Sequence, residues 1–246
     1  MQIKALKSKI ITPEDDLLEV VIHALKIARS SLRDKDILIV TSKVLSITQG
    51  RIKPVATEAA FNNLVKKEAD KIIGKSQVTL TMKNGIYIPW AGIDRSNIQP
   101  GYAVLWPKRP FEAAQKICLA LKKRFKLKNL GVIITDSHCV PLRRGVSGIA
   151  IGYAGIKGVN DLRGKKDLYG NTLKVSQQNV VDMAASAAHL VMGEAAEQTP
   201  FAILRDAPFF FTNGKIDKNE PVITADKCLF SPLYKHAAID SGRRKK

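Results

Sequence analysis

Apolar positions along this chain follow two rhythms, and the elements they predict alternate. Leu17, Val20, Val21, Ala24 and Ala28 recur on one side of a helical wheel. Ahead of them, Thr12, Pro13 and Asp15 supply a hydroxyl cap, a proline at the first helical position and an acid in the positive first turn. Phe61, Leu64, Val65 and Ile72 repeat the pattern over residues 57–73, with Gly74 where a C-terminal cap belongs. Phe111, Ala114, Ile117, Leu121 and Phe125 mark a third helix. Ser176 caps a fourth, alanine-rich one that carries Val180, Ala184, Ala187 and Val191. Short uninterrupted apolar runs at residues 36–41, 132–134 and 201–204 read as buried strands. Residues 78–82 alternate like a strand, Asn84-Gly85 is a two-residue hairpin turn, and residues 86–88 return. Residues 102–106 add a further strand, and from Asn213 onwards the signals are mainly turns. This interspersion predicts a mixed α+β fold: more than one mixed sheet, with flanking helices.

Composition narrows the class. With 246 residues, 45% hydrophobic and 25% charged, the chain suits one large domain or two small ones, and disorder is not expected. No apolar run approaches the ~20 residues that span a bilayer. The opening MQIKALKSKII lacks the apolar core of a signal peptide. The expectation is a cytoplasmic protein with no membrane partner. Cys118, Cys139 and Cys228 are too widely spaced for a zinc site and odd in number, and read as reduced thiols. Forty basic against twenty-two acidic residues give a net charge of +18, which raises nucleic acid or an anionic substrate as partner. The densest clusters, at residues 122–128 and 243–246, carry no interleaved aromatics to stack bases, so they read as a solvated face and a frayed tail. Nucleic acid is therefore not the expected partner.

The chemistry concentrates between Gly131 and Gly170. A buried strand ends on Thr135, Asp136 and Ser137, a place to hold a metal; Arg143 and Arg144 follow, then seven glycines from Gly145 to Gly170. A carboxylate for a cation, guanidiniums for anions and backbone free of Cβ atoms point to a site for a metal-bound phosphate. Three other places carry weaker signals. Ser42 and Lys43 at the end of the 36–41 strand read either as a phosphate contact or as a surface turn. Asp94 and Asn97 in AGIDRSN read either as ligands or as an Asx turn. Glu194, after Met192 and Gly193 at a helix end, reads either as a third acid for a metal or as a surface glutamate. Of the four histidines only His138 lies near the proposed site; His23 and His189 fall inside helices, and His236 is near the tail. Residues 69–76 (ADKIIGKS) lack the first glycine of a P-loop and occur in helix-to-strand order, so they are rejected as a nucleotide motif. No GxSxG, HExxH or GxGxxG pattern is present.

At GVIITD, RRGVSGIAIGYAGIKGVNDLRGKKDLYG and HLVMGEA, with AGIDRSN and TSKVLSITQGR upstream, the chain closely resembles the coenzyme F420-0:L-glutamate ligase family. The resemblance runs from the N-terminal helix to about residue 204. It implies a fold of two intertwined subdomains, read here as one ligase domain over residues 1–236 with a basic tail at 237–246, and a homodimer. It also implies a ligase that uses GTP as co-substrate and Mg2+ or Mn2+ at two sites. Such an enzyme joins L-glutamate to a small-molecule acid through an acyl-phosphate. On this resemblance Asp94, Asp136 and Glu194 match metal ligands, with Ser137 where the family commonly has threonine. Ser42, Lys43 and Asn97 match nucleotide contacts, as do Met192, Gly193, Ala195 and Ala196.

The chain also departs from these relatives. Ile47 stands in place of a nucleotide-contacting lysine, and residues 8–11 (SKII) replace a Gly-Leu/Ile-Pro segment. Basic residues in LWPKRPFEAA replace an Asp-Pro-Asp, and Val140-Pro141 replace Gly-Arg. Ligation of coenzyme F420-0 is the leading expectation. The same chemistry on another acid, such as a folate precursor, is the second. A non-catalytic nucleotide- or nucleic-acid-binding protein is the third.

Overall fold

Ile37 and Ile39 pack into one hydrophobic cluster while Leu38 and Val40, next to them on the same strand, pack into another. A strand buried on both faces has no polar side to show. That is why residues 36–41 read as a continuous apolar run rather than an alternating one. Each such side chain removed from water contributes roughly 1.5–3 kcal/mol.

The computed structural model describes residues 1–214 and 216–234; the basic tail at 237–246, and His236 with it, lie outside the described residues. The chain opens with β1 (Gln2–Leu6), α1 (Leu17–Ile27), β2 (Asp36–Thr41) and α2 (Ser42–Thr48). It continues through β3 (Ile52–Pro54), α3 (Glu58–Glu68), β4 (Lys71–Lys75), β5 (Thr79–Lys83), β6 (Ile86–Pro89) and β7 (Tyr102–Val104). Then come α4 (Pro110–Phe125), β8 (Leu130–Cys139), β9 (Val146–Ala154), β10 (Val159–Asp161) and β11 (Gln177–Asn179). α5 (Val180–Met192), β12 (Phe201–Arg205) and the short α6 (Ser231–Tyr234) complete the order.

Among the described residues the main sheet has five strands in the order β1-β12-β2-β8-β9. Only the β2–β8 pair is parallel; the others are antiparallel. Residues of α1 and α4 cover the face presented by Leu38, Val40, Val132 and Ile134, and residues of α5 cover the face presented by Ile37, Ile39, Ile133 and Tyr153. A separate cluster of Val55, Phe61, Val65, Ile93, Ala103 and Leu105 joins α3 to β7 and the loop before it. β4, β5 and β6 form a three-stranded sheet of their own. The fold is α+β with several sheets, as the periodicities predict.

Four boundaries differ from the sequence expectation. The first helix starts at Leu17 with Asp16 as its cap, whose side chain accepts from the Glu19 amide; Thr12 instead turns onto Asp15. α3 stops at Glu68, and Ile72 leaves it for strand β4, paired with β5, because a β-branched run gains more beside a strand than at a helix end. The last long helix is capped by Asn179, since Gln177–Asn179 pair with β10. The largest difference is in β8, which passes a register shift after Ile134 and runs on to Cys139. Thr135, Asp136 and Ser137 thus lie inside a strand rather than at its end.

The glycine-rich stretch supplies the partner for that extension. A Cβ on Gly148 would sit 2.5 Å from the Ala185 backbone, and one on Gly152 would sit 2.6 Å from that of Pro110. These glycines let α5 and α4 rest directly on the backbone of β9, a role in packing rather than in cradling phosphate.

Candidate active site

The parallel pair sets the site. β2 and β8 are in register from Asp36↔Leu130 to Thr41↔Thr135, so the carboxyl end of β2 opens beside Thr135 of β8, at the edge where open sheets gather ligands. β2 passes without a loop into α2, which puts Ser42 and Lys43 in the first helical turn. β8 continues past the same level with Asp136 and Ser137.

Two loops close over this edge. In the first, Asp94 is fixed by reciprocal backbone hydrogen bonds with Val104, 2.9 and 2.8 Å long. Its carboxylate accepts from the Ser96 amide at 2.7 Å and the Ser96 hydroxyl at 2.9 Å, so the Asx turn legible in the sequence forms. The same carboxylate also accepts the Lys43 ammonium at 2.5 Å. Lys43 in turn donates to the Ser96 carbonyl at 3.1 Å. In the second loop, α5 ends on Gly193 at φ 75°, a positive φ that glycine adopts without strain, and Glu194 follows. Asn97 ties the loops together, its amide nitrogen donating to the Ala195 carbonyl at 2.6 Å.

The cleft between them encloses about 560 Å3. The residues matched by resemblance to metal ligands and nucleotide contacts line it: Ser42, Lys43, Asp94, Asn97, Asp136 and Ser137 from one side, and Met192, Gly193, Glu194, Ala195 and Ala196 from the other. Ile47 and residues 8–11, two of the departures from the relatives' pattern, line it as well. Lys108 and Arg109 instead line a separate groove with Gln49 and Lys116. Arg143 and Arg144 are exposed in the turn between β8 and β9 and are not among the residues lining the cleft.

Asp136 is the electrostatic centre. Burial pushes its carboxyl up to about 6 and Asp94 adds to the rise, while the Ser137 amide, the Trp106 indole N–H and Lys43 oppose it. The Trp106 N–H donates to Oδ2 and the Ser137 amide to Oδ1 at 2.8 Å. Burial also raises Asp94, but Lys43 and Ser96 outweigh it and hold that carboxyl below its ordinary value. Glu194 accepts from the Ser137 hydroxyl at 2.9 and 3.1 Å.

His189 belongs to this constellation, and sequence reasoning missed it. Its Nδ1 lies 2.7 Å from Glu194 Oε1 and its Nε2 lies 3.0 Å from Thr135 Oγ1. His138, the expected neighbour, instead pairs with Ser147 of the adjacent strand, Nδ1 3.1 Å from its carbonyl. Strand alternation separates it from Ser137. The one sequence signal for His189 was its place in the last turn before Gly193-Glu194, which does not reveal that the chain folds back there.

Among the described residues no three of His, Cys, Asp and Glu stand together as a ready metal cage. The donors that face the cleft are nonetheless hard oxygens: Asp94, Asp136, Ser137 and Glu194. Such a set fits Mg2+ or Mn2+, which are commonly held by one or two carboxylates with phosphate oxygens completing the shell. A buried carboxylate beside a second one, as Asp136 lies beside Asp94, is stabilised in its charged form by a nearby cation.

The sequence model of the F420-0:Gamma-glutamyl ligase family matches residues 5–206. A coenzyme F420:L-glutamate ligase of Methanocaldococcus jannaschii is 38% identical, over 77% of this chain and 82% of that protein. Proteins of the same description from Methanopyrus kandleri and Archaeoglobus fulgidus are 33% and 34% identical, over 79% and 78% of this chain and 82% and 81% of their own lengths. No described helix is long and apolar enough to cross a membrane. The matched span holds both loops and both strands of the cleft, and the chain belongs to the F420-0:gamma-glutamyl ligase family.

Proposed function

We propose that this protein is a γ-glutamyl ligase that uses GTP and Mg2+ or Mn2+ to join L-glutamate to the carboxylate of coenzyme F420-0 through an acyl-phosphate. The observation that carries the reading is the convergence of Asp94, Asp136, Ser137 and Glu194 with Lys43 around one cleft. Asp94, Asp136, Ser137 and Glu194 would hold the metals. Bound there, the metals would neutralise the charge of the nucleotide phosphates and orient them.

The chain's own groups then act by positioning. Lys43 supplies an ammonium to a phosphate oxygen, and Ser42 and Asn97 supply neutral contacts beside it. The loop from Met192 to Ala196 forms the opposite wall. In the first step a carboxylate oxygen of the acid attacks the γ-phosphorus; the bond to the β-phosphate oxygen breaks and GDP leaves. In the second, the glutamate amine attacks the acyl carbon, inorganic phosphate leaves, and the amine proton passes to solvent. Neither step needs a nucleophile from the protein.

Purified protein incubated with GTP, Mn2+, L-glutamate and coenzyme F420-0 should release GDP and phosphate and yield an acid heavier by one glutamyl residue. GDP release with a folate-type acid instead would keep the chemistry and replace the substrate. No GDP release with either acid would sink the ligase reading.

A further inference from the structure

We propose that His189 is a positioning residue that locks Glu194 into its cleft-facing orientation; the inference rests on the reading of Glu194 as a metal ligand. Glu194 lies just past the end of α5, on chain already released from the helix by Gly193, and its side chain is 49% exposed. A long carboxylate at such a place is free to turn into solvent. Here it is held on two sides. The Ser137 hydroxyl reaches both of its oxygens, and His189 Nδ1 takes Oε1. A carboxylate only accepts, so Nδ1 is the protonated nitrogen of that pair.

The other end of the imidazole is what gives the contact its reach. Nε2 meets the hydroxyl of Thr135, a fully buried residue whose one hydroxyl proton is shared between that nitrogen and the Ile149 carbonyl, 3.1 Å away. Thr135 and Ser137 are two apart on β8 and so project to the same face. Thr135, His189, Glu194 and Ser137 therefore close a ring that starts and ends on the strand carrying Asp136. Movement of Glu194 relative to the other carboxylates requires breaking it. The His189 side chain is only 11% exposed, so the lock is shielded from competing water. Hydrogen-bond partners that orient a ligating carboxylate in this way are worth roughly 10–100-fold in metal affinity.

The test separates the two ring nitrogens. In His189→Asn the carboxamide nitrogen can replace Nδ1 and keep the bond to Glu194; in His189→Gln it reaches the Nε2 position and keeps only Thr135; His189→Leu keeps neither. Mn2+ binding is measured by electron paramagnetic resonance of the free ion, with a non-hydrolysable GTP analogue present, and folding by circular dichroism. The expected result is a Mn2+ dissociation constant about 10–100-fold weaker in His189→Gln and His189→Leu, with most of the loss recovered in His189→Asn. Thr135→Val, which removes the anchor at lower risk to the cleft wall, should weaken binding in the same direction. Unchanged Mn2+ affinity in His189→Gln and His189→Leu, or equal losses in all three His189 variants, would overturn the positioning role while leaving the metal site standing. Failure of the unaltered protein to bind Mn2+ would overturn both.

Discussion

The Lys43 ammonium lies 2.5 Å from Oδ2 of Asp94, so a cation of the chain already satisfies the carboxylate that the proposed function gives to a metal. Lys43 and a metal then compete for Asp94 until phosphate offers the ammonium another partner. Lys43→Met should tighten Mn2+ binding in the absence of nucleotide. It should also weaken use of GTP, since a charge-assisted hydrogen bond of about 1.5–3 kcal/mol corresponds to a loss of roughly tenfold to a hundredfold in kcat/KM. Mn2+ titration and GDP-release rates measured on the same variant check both signs. A fall in both affinities would assign Lys43 to the support of Asp94 rather than to competition for it.

Asp136 carries the opposite imbalance, a carboxylate raised to about 6 chiefly by burial. Asp136→Asn removes the charge and leaves one oxygen for the two N–H groups, of Trp106 and Ser137, that the carboxylate accepts. GDP release should be abolished and Mn2+ affinity reduced. The melting temperature in metal-free buffer at neutral pH should change little, because relief of a buried charge offsets the acceptor lost to one of those two donors. Retained turnover in a folded variant would remove Asp136 from the site.

What the sequence made legible follows from what each element buries. Residues 36–41 and 132–134 announce themselves because helices cover both faces of their strands, leaving no polar position to interrupt the run. The extension of β8 through Asp136, Ser137 and His138 stays hidden, because its polar residues pair with a glycine-rich strand that resembles a loop until helices are laid on Gly148 and Gly152. β4 hides for a related reason: Ile72 continues the helical period of α3, and only the presence of β5 decides against it. In the cleft, Asp94, Asp136 and Glu194 were visible as carboxylates at element ends and through resemblance. His189 was not, because its contact with Thr135 crosses to a strand far away in the chain and its contact with Glu194 depends on the chain folding back past Gly193, and no periodicity marks either.

Thiol chemistry offers a check on the β8 extension. Cys139, its last residue, is exposed, whereas Cys118, on the sheet-facing side of α4, is buried and donates to the Leu130 carbonyl at 3.2 Å. Burial pushes the Cys118 thiol up to about 11. At pH 8 only about a thousandth of it would be thiolate, the reactive form. A disulfide reagent added to the native protein should therefore label Cys139 rapidly and Cys118 only on unfolding. Peptide mapping of the labelled protein reads the order, and early labelling of Cys118 would contradict the packing of α4 on the sheet.

Acid stability should depend on Glu68, which closes the region around α3. One of its oxygens, Oε2, accepts from Arg51 and from Lys83, each at 2.8 Å, and all three side chains are largely shielded, at 17%, 15% and 11% exposure. Burial raises the Glu68 carboxyl, but the two cations outweigh it and leave it below its ordinary value. Its folded form therefore binds a proton less readily than the unfolded chain does. The stability it contributes is present in full above the unfolded value, near 4.3, and is lost as pH falls through the lower folded one. Glu68→Gln leaves Arg51 and Lys83 close together without their anion, and should cost roughly 1–3 kcal/mol at pH 7. Because the same carboxylate is protonated in the unaltered protein in strong acid, the difference in melting temperature between the two should narrow steadily below pH 4. Arg51 also donates to the Trp106 carbonyl at 3.1 Å, and the Trp106 indole bonds Asp136, so loosening this ion cluster should reach the cleft. Turnover at neutral pH should fall along with stability in Glu68→Gln, and a parallel shift at every pH would place its effect outside the carboxylate's charge.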